Sequence, residues 1–194
     1  MTDITDQKAA LRKQMLKARR EHVASLPGSV SALLFRRPPA PVMEMIPGDA
    51  IIGLYRASEA EAPAAGYARF FLEAGHSVAL PRIAPGSRMM TFRTHTDPFD
   101  ESDLEEGPHG IMQPAADAAE VEPGVLFVPL VGFAQSGHRI GQGGGYYDRY
   151  LAANPDATAL GLAWDVQEVD ELPIEEHDMP LAAIITPTRI YGPF

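Results

Sequence analysis

The chain of 194 residues has no cysteine. That excludes disulfides, thiol nucleophiles and cysteine–zinc sites, and it is compatible with a reducing cytoplasm. It also lacks an apolar run long enough to span a bilayer. The N-terminus is polar and then basic, without the apolar segment of a secretory signal, so a cytoplasmic protein off the membrane is expected. Lysine is scarce: Lys8, Lys13 and Lys17 are the only three. A Walker loop needs Gly-Lys-Ser/Thr, so no glycine-rich stretch further along can be one. No Ser-His-Asp or Cys-His arrangement stands out, and His-Glu-x-x-His does not occur. Chemistry without a nucleophile suits phosphoryl transfer, where positioning and charge neutralisation carry most of the catalysis.

What charge there is lies unevenly. The net charge is −10, yet residues 1–37 hold eight of the sixteen basic residues and three acids. The acidic remainder argues against a nucleic-acid surface. Residues 5–23 read as a helix, with Leu11, Met15, Ala18 and His22 on one face as a packing stripe. Lys8, Arg12 and Arg19 line up beside that stripe, where long side chains can reach a neighbouring cleft. Lys13, Lys17 and Arg20 point to solvent.

Residues 27–49 are rich in proline and form a connection with at most a short helix. A buried strand is expected at 50–55, a helix at 58–74 with Tyr67, Phe70 and Phe71 inward, and a strand at 77–80 ended by Pro81. This βαβ unit implies parallel pairing. Another strand is expected near 89–93. The acidic stretch 97–106 reads as a solvated loop and 110–114 as a turn. Core strands follow at 125–128, 158–164 and 182–186, the last before a tail, with a helix at 146–153. The fold class is α/β: one Rossmann-like domain over 1–194, three-layered, with a mostly parallel central sheet and helices on both faces. The ligand crevice belongs beyond the carboxyl ends of the strands.

Residues 128–151, VPLVGFAQSGHRIGQGGGYYDRYL, organise the rest. Five glycines fall between Gly137 and Gly145, between a strand and a helix. Free N–H groups and a helix dipole at such a junction make an anion cradle. A dinucleotide fingerprint fails, because Tyr146 stands where its third glycine belongs. A phosphate bound here must take any lysine from the N-terminal helix. Asp148, in the first turn after the glycines, reads as a dipole-favourable acid or as a Mg²⁺ ligand beside phosphates. A second carboxylate would come from 175–178, whose His177 reads as a surface residue.

With those residues in view, the chain resembles the 5-formyltetrahydrofolate cyclo-ligase family, also called methenyltetrahydrofolate synthetases. The family's pattern V-P-G-L-A-F-D-x-x-G-x-R-L-G-Y/R-G-x-G-Y-Y-D-R is similar to this stretch at Val128, Pro129, Phe133, Gly137, Arg139, Gly141, Gly143 and Gly145 to Arg149. Lys8-x-x-Leu11-Arg12, Leu80-Pro81-Arg82, Gly110 to Pro114, Leu172-Pro173 and His177-Asp178 look like further family segments. The resemblance implies ATP-dependent closure of 5-formyltetrahydrofolate to the 5,10-methenyl form, with ADP and phosphate released. It implies ATP binding by Lys8, Arg12, Arg139, Gly141, Gln142, Gly143, Gly144, Gly145, Tyr146 and Tyr147. Folate binding falls to Tyr55, Glu61, Gln142, Gly143, Gly144, Gly145 and Tyr146, and Mg²⁺ binding to Asp148 and Asp178. It further implies a cytoplasmic monomer acting on small molecules. Four positions depart from the pattern: Leu130 for a glycine, Ala134 for an aspartate, Gln142 for a tyrosine or basic residue, and Ala182 where an acid often stands. They leave a second reading open, a folate- and nucleotide-binding relative with little turnover.

Overall fold

The computed structural model describes residues 3–31 and 33–194. Helix α1 (Ile4–Ser25) covers the expected segment, but its buried stripe differs. Met15 is buried together with Lys8 and Arg19, while Leu11, Ala18 and His22 are only half-buried. The cations therefore belong to the packed face itself. Lys13, Lys17 and Arg20 are exposed as expected. Two four-residue helices, α2 (Gly28–Ser31) and α3 (Ala40–Met43), occupy the connection where one at most was expected. Proline suits the first turn of α3, where an N–H has no helical partner anyway.

Strand β1 (Ile52–Gly53) is the centre of the expected 50–55 segment. The next helix, α4 (Ala65–Glu73), starts seven residues later than expected. Pro63 explains the difference: proline is tolerated only at a helix start and pushes its predecessor to extended backbone. Residues 57–63 are thus left as a loop. Strand β2 (Val78–Arg82) runs through Pro81, which was expected to end it. It pairs parallel with β1 at 78–79 and antiparallel with β3 (Thr91–Thr94) as far as Arg82. His95 N–H donates to Val78 O, while Leu54 N–H donates to Ala79 O. Odd-numbered residues of β2 therefore face β1, and the N–H that Pro81 lacks is on that side. The proline stops the parallel pairing and leaves the antiparallel one intact.

The acidic stretch and the following turn form a small ribbon, β4 (Leu104–Glu106) with β5 (Met112–Pro114). Arg82 fixes it to the end of β2, pairing with Glu105 at 2.8 Å and donating to Pro114 O. Then come β6 (Glu120–Val121), β7 (Val125–Pro129), the hairpin β8 (Gly132–Phe133) and β9 (Arg139–Ile140), α5 (Tyr146–Ala153), β10 (Thr158–Leu162), β11 (Ala183–Ile185) and β12 (Ile190–Tyr191). The last of these lies in the expected tail. The main sheet has the order β12-β11-β10-β7-β1-β2-β3-β6, and its five central strands are parallel.

Alternation along β7 builds both faces. Val125 and Phe127 enter a core with Tyr67, Ala68 and Phe71 of α4, whereas Leu126 and Val128 enter another with Tyr150 and Leu151 of α5. The α/β class with helices on both faces holds. A small third cluster, Met15 with Val131 and Ile140, seats α1 across the loops beyond β7. Among the described residues no helix is long and apolar enough to cross a membrane.

Phe127 is fully buried, edge-on to Tyr67 at 5.2 Å and 5.6 Å from the Phe71 ring. Phe127→Ala is expected to cost about 3–5 kcal/mol, through lost transfer energy and an unfilled cavity. Equilibrium urea unfolding checks it; a loss below about 1 kcal/mol would show that this face tolerates voids.

Candidate active site

A cleft of about 750 Å³ opens beyond the carboxyl ends of the parallel strands. Its floor includes Pro81 and Ile83 at the end of β2, and Pro129 and Leu130 at the end of β7. This is where ligands bind in open α/β sheets. Lys8, Arg12 and Thr5 of α1 form one wall, residues 139–148 another, and Glu175, His177 and Asp178 a third. Both chain ends meet there.

Each of the three inward cations of α1, Lys8, Arg12 and Arg19, has a partner in the loops it covers. Lys8 Nζ donates to Glu175 Oε2 at 2.6 Å and to Asp178 Oδ2 at 2.5 Å. Burial alone would lower the Lys8 ammonium and raise the Asp178 carboxyl, but their mutual bonds reverse both shifts. Lys8 is held above the usual lysine range and Asp178 below the usual carboxylate range. Arg12 Nε donates to Gly141 O at 2.8 Å, which ties α1 to the glycine loop. Arg19 is only 4% exposed and donates to Leu130 O at 3.2 Å; its Nη1 lies 3.9 Å from Glu61 Oε1. The sequence placed Arg19 beside the stripe with reach into a neighbouring cleft, but Arg19 does not line this one. A lone arginine at helical spacing gives no sign of a partner 42 residues away.

Among the described residues the N–H groups of 141–145 make no hydrogen bonds. Gly143 (φ +101°) and Gly145 (φ +64°) hold left-handed backbone that other residues adopt only under strain. Gly145 is also the N-cap of α5, so the loop delivers the positive end of the helix to the cleft. Arg149 braces the turn, donating to Gly144 O at 2.7 Å and to Arg88 O at 2.6 Å and stacking over Tyr146. The buried Tyr147 hydroxyl has no hydrogen-bond partner among the described residues. Burial, and then the nearby Glu61 charge, push its pKa well up.

Glu61 closes the opposite end. Its side chain is 10% exposed. Oε2 accepts from Ser58 N–H at 2.7 Å, and Oε1 accepts from Gln142 Nε2 at 3.0 Å. Tyr55, expected at the folate site, is not brought into this cleft. It lines an adjoining hollow of about 240 Å³ that shares Glu61 with the cleft, and its hydroxyl donates to Ala62 O at 2.5 Å. Trp164 Nε1 donates to Ala60 O at 3.1 Å. These two aromatic residues thus fasten the 57–63 loop that carries Glu61. Gln113 does the same for the cleft floor, bonding both backbone groups of Ile83.

The expected metal carboxylates do not meet in this conformation. Asp148 pairs with Arg139 Nη2 at 2.8 Å, and Arg139 also donates to Met179 O at 2.6 Å. Glu175, His177 and Asp178 offer ligand atoms within 4.8 Å of one another, and Asp148 is outside that group. Asp148 and Asp178 nonetheless line one cleft. Carboxylate oxygens beside a phosphate cradle are a donor set that fits Mg²⁺.

The model of the 5-formyltetrahydrofolate cyclo-ligase family matches residues 4–187. The chain belongs to this family. It is 37% identical over 124 residues to the 5-formyltetrahydrofolate cyclo-ligase of Escherichia coli K12, covering 61% of this chain and 67% of that one. The Haemophilus influenzae 5-formyltetrahydrofolate cyclo-ligase is 37% identical over 91 residues, 44% of this chain and 49% of its own. The solution structure of the Aquifex aeolicus 5,10-methenyltetrahydrofolate synthetase superposes with a TM-score of 0.73 at 25% identity, covering 96% of this chain and 92% of that one.

The cyclo-ligase departures have visible settings. Ala134 is buried in the β8–β9 turn, which backbone bonds from Ala134 to His138 and from Gly137 to Ala134 close without the aspartate. Leu130 is packed in the core under α5. Gln142 meets Glu61.

Asp178, with a lowered pKa, contributes stability that is present above the unfolded value of about 3.9 and is lost as pH falls through its lower folded value. A carboxyl NMR titration is expected to place Asp178 below the ordinary range. Lys8→Met should raise it; no rise would show that the pair with Lys8 does not set the shift.

Proposed function

We propose that this cleft binds ATP and 5-formyltetrahydrofolate side by side and closes the 5,10-methenyl ring. The observation that carries the reading is the convergence of Lys8, Arg12, the unbonded N–H groups of 141–145 and the carboxylates of Asp148 and Asp178 on one cleft. Cations and donors of that kind neutralise polyphosphate. In the proposed reaction the formyl oxygen attacks the γ-phosphorus and ADP leaves. N10 then attacks the activated carbon, the C–O bond breaks, phosphate departs and N10 gives up its proton. The balance needs no oxidant and no protein nucleophile.

Lys8 and Arg12 would hold the phosphates from one wall, and Arg139 with Gly141, Gln142, Gly143, Gly144, Gly145, Tyr146 and Tyr147 from the other. Gly143 to Tyr146 would border the folate as well, while Glu61 receives the donors of its pterin ring. Tyr55 would act at one remove, by holding the loop of Glu61. Asp178 and Asp148 would hold Mg²⁺, with Glu175 as a further oxygen donor. The ion supplies charge neutralisation on the phosphate oxygens. The protein's own contribution is order: two reactive groups kept in line and shielded from water.

The family match over 4–187 supports reading the chain as one domain. Because one chain supplies every wall of the cleft, we read the active unit as a monomer, working on small molecules in the cytoplasm, with no nucleic-acid or membrane partner.

Mixing protein, 5-formyltetrahydrofolate and Mg-ATP is expected to raise the ultraviolet band of the methenyl product, and omission of ATP to abolish it. Absence of the band with all components present would refute the activity. Asp178→Asn is expected to lower kcat by about 10- to 100-fold with unchanged circular dichroism. Full activity of that variant would remove Asp178 from the metal assignment.

A further inference from the structure

We infer that Arg19 is the positioning residue of the folate end, holding the Glu61 carboxylate in place for the substrate. The inference rests on the proposed function and assigns a residue outside the set that would touch either substrate.

Arg19 does not line the cleft, whereas Glu61 does. Any effect of Arg19 on a ligand must therefore pass through a neighbour. Its guanidinium is 4% exposed, and few of its donors are spent. Nη1 donates to Leu130 O at 3.2 Å and lies 3.9 Å from Glu61 Oε1, while Nε is buried without a hydrogen-bond partner among the described residues. An arginine buried only to seat a helix would have its fork filled by backbone carbonyls. Here the compensating feature is a negative charge. Burial lowers the Arg19 pKa and the Glu61 carboxylate opposes that shift.

From the side of Glu61 the dependence is stronger. The carboxylate is 10% exposed and packed near the Tyr55 and Tyr147 hydroxyls, both of whose pKa values burial and then its charge push up. Its hydrogen bonds come from Ser58 N–H and Gln142 Nε2, both neutral. Arg19 is the cation paired with it among the described residues. A buried carboxylate stripped of its cation is costly to keep charged. The ligand chemistry follows. A ring bearing adjacent N–H and NH₂ donors, as a pterin does, complements a charged carboxylate with two parallel bonds, displacing Gln142 from Oε1. A nucleotide phosphate is repelled by it. Arg19 is therefore expected to tune folate affinity and not nucleotide affinity.

The test is calorimetric binding of 5-formyltetrahydrofolate, and separately of a non-hydrolysable Mg-ATP analogue, to the full chain. Arg19→Met is expected to weaken folate binding by about tenfold or more. The nucleotide affinity should move less than about threefold, and Arg19→Lys, which keeps the charge, should recover part of the folate loss. In a Glu61→Gln background, Arg19→Met should cause little further loss, since residues acting through one contact are not additive. Equal weakening of both ligands, no recovery with lysine, or fully additive losses would overturn the proposal. If Arg19→Met does not fold, Arg19→Lys runs the same cycle. A parent protein that fails to bind 5-formyltetrahydrofolate overturns the functional reading itself, whereas binding with an inert Arg19 overturns only this inference.

Discussion

A cation removed from water must be given negative charge or carbonyl oxygens, and helix α1 carries three of them inward. That constraint decides how the two ends of the chain meet. Lys8 draws in Glu175 and Asp178, 167 and 170 residues away. Arg12 takes the carbonyl of Gly141, and Arg19 takes Leu130 O and the charge of Glu61. The apolar part of the helix–loop contact is small, centred on Met15, Val131 and Ile140. Polar contacts therefore carry much of the docking, and polar contacts depend on register. A one-residue slip of the helix would turn each cation by about 100° and leave it unpaired.

The parallel sheet serves the same site from below. β7 ends in Pro129 and β2 carries Pro81 one residue before its end, and both residues form the cleft floor. Pro81 ends pairing with β1, so β1 turns away and its continuation carries Glu61 back over the strand ends. The glycine loop approaches from the β7 side by way of the β8–β9 hairpin. Site geometry is thus a consequence of where each strand stops.

Much of this was legible in residue order. The apolar run at 125–128, the glycines before Tyr146 and the confinement of lysine to the first seventeen residues pointed to an α/β sheet, an anion cradle and a composite site. What escaped notice depended on contacts between distant residues. Pro63 moved the start of α4 because its ring forbids the helix that the composition of 58–64 otherwise permits. The ribbon of β4 and β5 comes from Arg82 holding an acidic segment that reads as solvated when taken alone. Tyr55 belongs to the right segment, but its hydroxyl is used by Ala62, and periodicity cannot show which donor is already occupied. Nor could spacing show that Asp148 is matched to Arg139 while Asp178 is matched to Lys8.

That pairing of charges bears on how the two halves of the site are kept in step. In the proposed reading Lys8 and Arg12 serve the phosphate half and Arg19 the folate half, and all three project from one uninterrupted helix. From Arg12 to Arg19 the helix rises about 10 Å, and from Lys8 to Arg19 about 16 Å. A helix of this length is stiff compared with the loops it covers. It therefore sets the separation between the group that would receive the polyphosphate and the group that would place the pterin. Phosphoryl transfer to a formyl oxygen needs that separation held within a fraction of an ångström, since misplacement by 1 Å can cost about 100-fold in rate. Placing the cations of both halves on a single helix, instead of on separate loops, meets the requirement without any further device.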